Sequence, residues 1–304
     1  MVGTILKGLI FPAVFVGSLA AFQGLQAIGA APPVALLCMT VGNLAVVAGL
    51  EAVFPLRREW AWWKDGQTIN DLVHGALLTL IGSRLGEAAF SSFVASAMAA
   101  LASSGGVWPH ALPLSAQVAL AIFVTDFFDA AKHWIYHNAP LTWPIHALHH
   151  APDRMHVAKG ARLHFLEATI RYGVITAPLL IAGAGPEIIF WHAAVMNALG
   201  NLNHSNVDMP LPRPLHYLLA TPQVHRLHHS IDPELGRCNL SPGFMFPDHL
   251  FGTFRDPVSH RLGSVGVAAD PIQGNLLVQI LSPAIWPVLV LRQRLSKRDG
   301  AGMR

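Results

Sequence analysis

Between Lys7 and Glu51 the chain carries no charged residue, and one helix of that length, at about 1.5 Å per residue, would be roughly twice the thickness of a bilayer core. Ala31-Pro32-Pro33 divides the stretch, because tandem prolines lack amide donors and stop a helix. The pattern predicts two membrane spans joined as a hairpin. Lys7 stands at one foot and Arg57, Arg58 and Lys64 at the other, which places both feet in the cytoplasm under the positive-inside rule. Trp60, Trp62 and Trp63 follow as an interfacial aromatic belt. A cleavable signal peptide, with Lys7 as its basic region and Ala27-Ile28-Gly29-Ala30 as its cleavage site, is the competing reading, but the second span directly behind makes a hairpin sufficient.

A second apolar pair covers residues 72–102 and 113–136, separated by the turn-forming Ser103-Ser104-Gly105-Gly106. Arg84 and Glu87 interrupt its first member on one helix face, as an internal ion pair or as part of a substrate pocket. Its small residues Ala88, Ala89, Ala95, Ala99 and Ala100 permit close packing or leave a substrate groove. Residues 172–185 and 188–202 flank Pro186-Glu187 and are short for full spans, which suits a re-entrant hairpin or half-buried helices. The uncharged stretch between Asp270 and Arg292 is broken by Pro283 and Pro287 and reads as an interfacial helix. The expected fold is all-α: an integral membrane helical bundle of about four transmembrane helices plus re-entrant or interfacial helices, with a cytoplasmic histidine-rich helical cap. Expected divisions are N-terminal transmembrane helices at 1–119, a catalytic region at 120–256, and an interfacial helix and tail at 257–304.

Composition agrees with a membrane protein: 53% of the 304 residues are hydrophobic and 12% charged, about half the charged fraction of a soluble domain. Two cysteines exclude a disulfide framework, an iron–sulfur ligand set and a zinc ribbon. A net charge of +3 is too small and dispersed for a nucleic-acid footprint. The anomaly is 17 histidines against 17 carboxylates, most of them in the second half of the chain.

Their spacing carries the chemistry. His133 and His137 lie at i and i+4, one above the other on a helix face, where both reach one ion. His146-Ala-Leu-His149-His150 follows, and the same figure returns as His225-Arg-Leu-His228-His229. Clustered imidazoles without a metal are costly, since each buried ring needs partners and protonated neighbours repel. So many nitrogens exceed what one four- to six-coordinate ion uses, so two ions are implied. Imidazole suits zinc, copper, iron and nickel rather than calcium or magnesium. No His-Glu-x-x-His peptidase motif occurs, and the Glu-x-x-His pairs of soluble di-iron bundles are not the pattern seen.

From residue 120 to 254 the chain resembles the fatty acid hydroxylase and sterol desaturase superfamily of membrane di-iron oxygenases. The resemblance rests on Asp126 before His133-x-x-x-His137, then Pro140-Leu-Thr-Trp143 leading into His146-x-x-His149-His150. It continues through Arg162-x-His164-x-x-Glu167, His204-Ser-Asn206, Pro222-x-x-His225-Arg-x-His228-His229, Asn239 and Asp248-His-Leu-Phe251-Gly252-Thr253. It implies His133, His137, His146, His149, His150, His225, His228 and His229 as metal ligands, with His204 as an additional one. His164 is implied as ligand or hydrogen-bonding support, and Asp126, Glu167, Asn206, Asn239 and Asp248 as possible supports. Trp134 stands where the family often has arginine, and Ala151-Pro152 replaces a common serine, which leaves the subfamily and substrate open.

The resemblance implies two iron ions, with O2 as co-substrate, attacking an unactivated C–H bond of a sterol-like or fatty acyl lipid from the bilayer. Hydroxylation and desaturation share the first hydrogen abstraction, and no catalytic side chain beyond the metal centre is implied. Zinc can substitute on purification, because the affinity order does not favour ferrous iron. The chain shows no iron–sulfur cysteine cluster, flavin fingerprint or cytochrome domain, so a separate ferredoxin or cytochrome is expected to deliver two electrons. Arg154, Lys159, Arg162 and Arg171 offer a docking patch for an acidic donor or anionic headgroups, or a solvated edge. A metal transporter would line its spans with ligands, whereas these boxes follow the spans, and a catalytically silent relative would lack box residues. His74, His110, His192, His216 and His260 are isolated and expected to make local hydrogen bonds; His156 and His249 lie near the motifs.

Overall fold

The computed structural model describes residues 6–102, 107–268, 270–272 and 274–301, so the 103–106 turn lies outside the described residues. Regular structure among these residues is helical apart from three isolated bridges, which pair Pro55 with Val207, Leu219 with Phe244 and Ser230 with Val265.

Helices α1 (Ile10–Ala27) and α2 (Pro32–Val53) form the hairpin. Ala31 is extended, and Pro32 opens α2, where a missing amide costs nothing. The pair buries a narrow stripe including Phe11, Phe22, Met39 and Val47, and leaves Val41 and Val46 exposed, as lipid-facing helices do. Amides tie the hairpin together and to the rest of the molecule: buried Asn43 donates to Ser18 at 2.7 Å, and half-buried Asn201 of the later helix donates to Asn43 at 2.8 Å.

Residues 68–102 form α3 (Thr68–Leu77), a π-helical turn (Leu78–Gly82) and α4 (Ser83–Ala102). Close packing here comes from glycines rather than from the alanines. A side chain at Gly82 would meet the Phe165 carbonyl at 2.2 Å, and one at Gly173 would meet the Phe90 ring at 2.4 Å. Ala88, Ala89, Ala95 and Ala99 are exposed rather than packed in the interior. Arg84 and Glu87 pair at 3.1 Å, but with side chains 79% and 56% exposed, so the pair faces outward. Helix α5 (Leu114–Asn138) follows, then α6 (Trp143–His150).

Residues 172–185, expected as a re-entrant or half-buried piece short for a span, belong to a longer element: α7 (Phe165–Arg171), a π turn (Tyr172–Thr176) and α8 (Ala177–Ala182) run on as one helix. The C-terminal stretch is one long helix, α13 (Leu276–Ala301), despite Pro283 and Pro287. Proline at 283 removes the amide that would reach the Gln279 carbonyl, and the Ser282 hydroxyl donates to that carbonyl at 2.9 Å instead. Among the described residues, five helices are long and apolar enough to cross a membrane: Leu6–Ala27, Pro32–Val53, Leu114–Asn138, Phe165–Ala182 and Leu276–Gln293.

Helix α9 (Pro186–Asn203) packs against the hairpin and α5. Short helices α10 (Arg213–Leu218), α11 (Pro222–His228) and α12 (Phe246–Phe251) complete the chain. The ends of α2, α5 and α9, the start of α7 and the short helices gather at one end of the bundle. There Glu51 accepts from the amides of Val157 and Asn206 at 2.7 and 2.8 Å, and Lys7 pairs with Asp208 at 2.6 Å.

Candidate metal centre

Four helical segments bring histidines together at this end. The last turns of α5 present His133 and His137; α6 carries His146, His149 and His150; α11 carries His225 and His228, with His229 at its C-cap; His204 caps α9. The nine rings form two groups, each with nitrogens within 4.8 Å of one another: His133, His137, His146, His150 and His228, and His149, His204, His225 and His229. The two His-x-x-His-His motifs interlock. Each sends its i, i+4 pair to one group and its middle histidine to the other, so His149 joins the α11 pair and His228 joins the α6 pair. The His150 and His229 rings stack between the groups, with centroids 4.4 Å apart.

Proton placement tests whether these residues fit an ion. His133 Nδ1 donates to the Leu240 carbonyl at 2.7 Å, and His146 Nδ1 donates to Glu167 at 3.2 Å. Both Nε2 atoms are therefore bare lone pairs, yet they face each other at 2.9 Å. In the second group His204 Nδ1 donates to the Gly200 carbonyl at 2.8 Å, and its Nε2 stands 3.1 Å from His149 Nε2 and 2.9 Å from His225 Nε2. Facing lone pairs repel unless a cation lies between them. Nitrogens bound about 2.1 Å from one ion at right angles stand about 3 Å apart. His137 Nε2 and His228 Nε2 are buried with no protein partner, and the His228 Nδ1 proton goes to the Cys238 carbonyl at 2.8 Å. The donor set fits a pair of metal ions.

Burial, reinforced by neighbouring imidazoles, holds His146, His149, His150, His225, His228 and His229 well below the ordinary imidazole range. Burial also brings His204 to about 4. Neutral rings at physiological pH keep a lone pair for a metal.

Among the expected supports, only Glu167 touches one of the nine rings. Asp248 acts through the backbone: it accepts from the Leu240 and Ser241 amides at 2.7 and 2.8 Å and from Thr253 at 2.6 Å, fixing the segment whose carbonyls hold His133 and His228. Asn239, at φ 54°, bridges Val224 and Arg255. Asn206 ties down the Arg57 backbone, and Asp126 accepts from the Phe244 amide. His164 belongs to neither group: its Nδ1 accepts from the Leu166 amide at 3.3 Å, and its Nε2 donates to the Ile280 carbonyl at 2.9 Å.

The basic patch is a correction. Lys159 and Arg162 are 2% and 4% exposed, and they neutralise buried carboxylates instead of awaiting a partner. Lys159 bonds Asp65 and Asp71 at 2.5 and 2.8 Å, and Arg162 bonds Asp71 at 3.0 Å. Those same cations make Asp65, Asp71 and His156, which also converge, a poor third ion site. Arg154 pairs with Asp153 and Asp65, and Arg171 lies 3.8 Å from Asp129. Of the isolated histidines, His74 bonds Gln279, His192 bonds Thr125, His216 bonds Thr221 and His260 bonds the Asp256 carbonyl. His249 bonds the Tyr217 carbonyl.

Sequence reasoning missed Glu51, which fastens α2 to the loops flanking the site, although its place as the first charge after a long apolar run was a visible signal. It also missed the carbonyls of Cys238, Leu240 and Gly200, which leave no mark in side-chain chemistry.

A family model described as fatty acid hydroxylase matches residues 118–253. The chain is 32% identical to the ornithine lipid hydroxylase OlsE of Rhizobium tropici over 247 residues, spanning 80% of this chain and 73% of that protein. It is 23% identical to an alkylglycerol monooxygenase of Caenorhabditis elegans, across 56% of this chain and 33% of that enzyme. A Xenopus tropicalis alkylglycerol monooxygenase is 24% identical, across 64% of this chain and 43% of the relative. This chain therefore spans less than half the length of either animal enzyme. No solved structure gives a significant match.

Proposed function

The chain belongs to the fatty acid hydroxylase/sterol desaturase superfamily, and from that premise we propose that it hydroxylates an unactivated C–H bond of a membrane lipid, using O2 and two iron ions. The observation that carries the reading is the pair of facing Nε2 lone pairs of His133 and His146, repeated around His204 in the second group. His133, His137, His146, His150 and His228 would hold one iron, and His149, His204, His225 and His229 the other. When bound, the ions supply the dioxygen and one-electron chemistry that no side chain provides.

The protein's own part is placement. Glu167 and the carbonyls of Leu240, Cys238 and Gly200 take the Nδ1 protons, so that the opposite nitrogens point inward unprotonated. Asp248 and Asn239 hold the segment bearing two of those carbonyls. Two electrons arrive from a separate ferredoxin or cytochrome. The positive foot at Arg57, Arg58 and Lys64 supports a metal centre on the cytoplasmic face. Relatives that are hydroxylases and monooxygenases favour oxygen insertion over desaturation by the same site, and the first makes an ornithine lipid the first substrate to test.

The experiment compares lipid extracts, by mass spectrometry, from cells expressing the wild type or the His149→Ala/His228→Ala double variant, which removes one ligand from each group. A lipid that gains one oxygen atom only with O2, iron and intact histidines is the expected result. A lipid losing two hydrogens would indicate the desaturase. A metal-loaded wild type that changes no lipid, even with a supplied donor, would favour a metal-binding or transport protein.

A further inference from the structure

On the bilayer side of the metal centre, α1, α5 and α9 line a half-open cavity of about 430 Å³, within the range of about 300–1,000 Å³ common for ligand sites. Its walls include Leu19 of α1, Val118 and Ile122 of α5, and Val195 and Leu199 of α9; among the described residues only Ser115 and the Trp191 indole bring a polar side-chain group to the lining, and no charge does. An interior this apolar selects hydrocarbon, because a polar occupant would leave its hydrogen bonds unmade.

Its roof is Leu219, Gly243 and Phe244. Ala220 N donates to the Gly243 carbonyl at 2.7 Å and Met245 N donates to the Leu218 carbonyl at 3.0 Å, so two segments are stitched across the top. Phe244 N is held by Asp126, and a side chain at Gly243 would meet that carboxylate at 2.6 Å. This roof is the continuation of the segment whose Cys238 and Leu240 carbonyls hold His228 and His133. Cavity and histidines thus share one strap.

The lipid-facing surface of α5 reaches the same roof. Phe123 stacks on Phe246 at 4.6 Å, and Phe127 packs on Phe251 at 5.4 Å. Leu218 and Leu250 beside them are 64% and 60% exposed. The apolar exterior of a membrane span therefore continues over α12 to the residues that close the cavity.

We infer that this cavity holds one hydrocarbon chain of the lipid, and that residues 238–244 set where the chain lies relative to the histidines. The inference rests on the lipid-oxygenase reading, but its test does not need catalysis. The full chain, in nanodiscs, is irradiated with a fatty acid carrying an alkyl diazirine, and labelled peptides are mapped by mass spectrometry. Wild-type labelling is expected on the α5 and α9 peptides containing Val118 and Leu199. It should drop about tenfold in Val118→Trp and in Val195→Trp, which fill the cavity from opposite walls, with metal content unchanged. Labelling confined to outward positions such as Leu37 and Leu281, or cavity labelling indifferent to both variants, overturns the inference. The wild-type map stands even if a tryptophan variant misfolds. Lipid oxidation without cavity labelling would sink the inference and leave the proposed function; cavity labelling without oxidation would do the reverse.

Discussion

A histidine that gives its Nδ1 proton to a fixed acceptor presents only a lone pair at Nε2, so the acceptors behind the rings decide which way the site faces. Glu167 is the one side-chain acceptor, bonding His146. Glu167→Ala should weaken metal binding about 10–100-fold, read by titration against a competing chelator, while Glu167→Gln, which keeps a carbonyl oxygen there, recovers most of it. His164 gives the opposite expectation, because both its nitrogens are engaged with backbone at the start of α7 and at Ile280. His164→Ala should cost about 1 kcal/mol of stability through the lost helix cap and leave metal stoichiometry at the wild-type value. Loss of an ion in that variant would return His164 to the ligand set.

Among the elements, what was legible in the chain was what repeats locally. His133 with His137, and each His-x-x-His-His, are fixed by the helical period, and the residues that form them are neighbours in sequence. The cross-exchange of His149 and His228 between groups was not legible, since it depends on α6 and α11 meeting. Nor were the partners of Lys159, which come from Asp65 and Asp71, 94 and 88 residues away. A patch that reads as exposed and basic therefore folds into a neutralised interior that fixes α3 to the loop after α6. Lys159→Glu would put a third carboxylate against Asp65 and Asp71, and breaking a buried pair costs about 3–5 kcal/mol. The expected result is loss of folded, metal-loaded protein, not a selective defect with the electron donor; normal metal content with reduced donor-dependent turnover would refute it. Burial pushes the Asp65 carboxyl up, but the His156 contact and the Lys159 charge outweigh it and hold it below the usual carboxylate range. Its stabilisation is therefore present above an unfolded value of about 3.9 and is lost as pH falls through the folded value. The melting-temperature gap between wild type and Asp65→Asn should be constant from neutrality to about pH 5 and shrink below about pH 4.

For the whole molecule, the proline-punctuated hairpin was legible because charge and proline mark span ends, whereas the extent of the later helices was not. Residues 172–185 read as short and the stretch between Asp270 and Arg292 as broken, yet a π turn and the Ser282 hydroxyl carry helix through 165–182 and 276–293. The resulting bundle has one consistent polarity. The α1–α2 turn at residues 28–31 lies at the far end, and the Arg57–Lys64 segment lies with the histidines, since Glu51 at the end of α2 binds Val157 and Asn206. Orientation of the hairpin therefore orients the metal centre. In a chain with Cys38 and Cys238 replaced, a membrane-impermeant maleimide applied to intact cells should label Ala30→Cys and reach Arg58→Cys only after permeabilisation. Native Cys238 would in any case react poorly, being 2% exposed with its thiol pushed up to about 12 by burial. The reverse labelling would put the histidines on the outer face, out of reach of a cytosolic ferredoxin, and the electron supply would then have to come from a carrier within or beyond the membrane. Labelling as expected leaves a lipid drawn from the bilayer on one side of the site and reducing equivalents from the cytoplasm on the other, which is the arrangement that an oxygenase of membrane lipids requires.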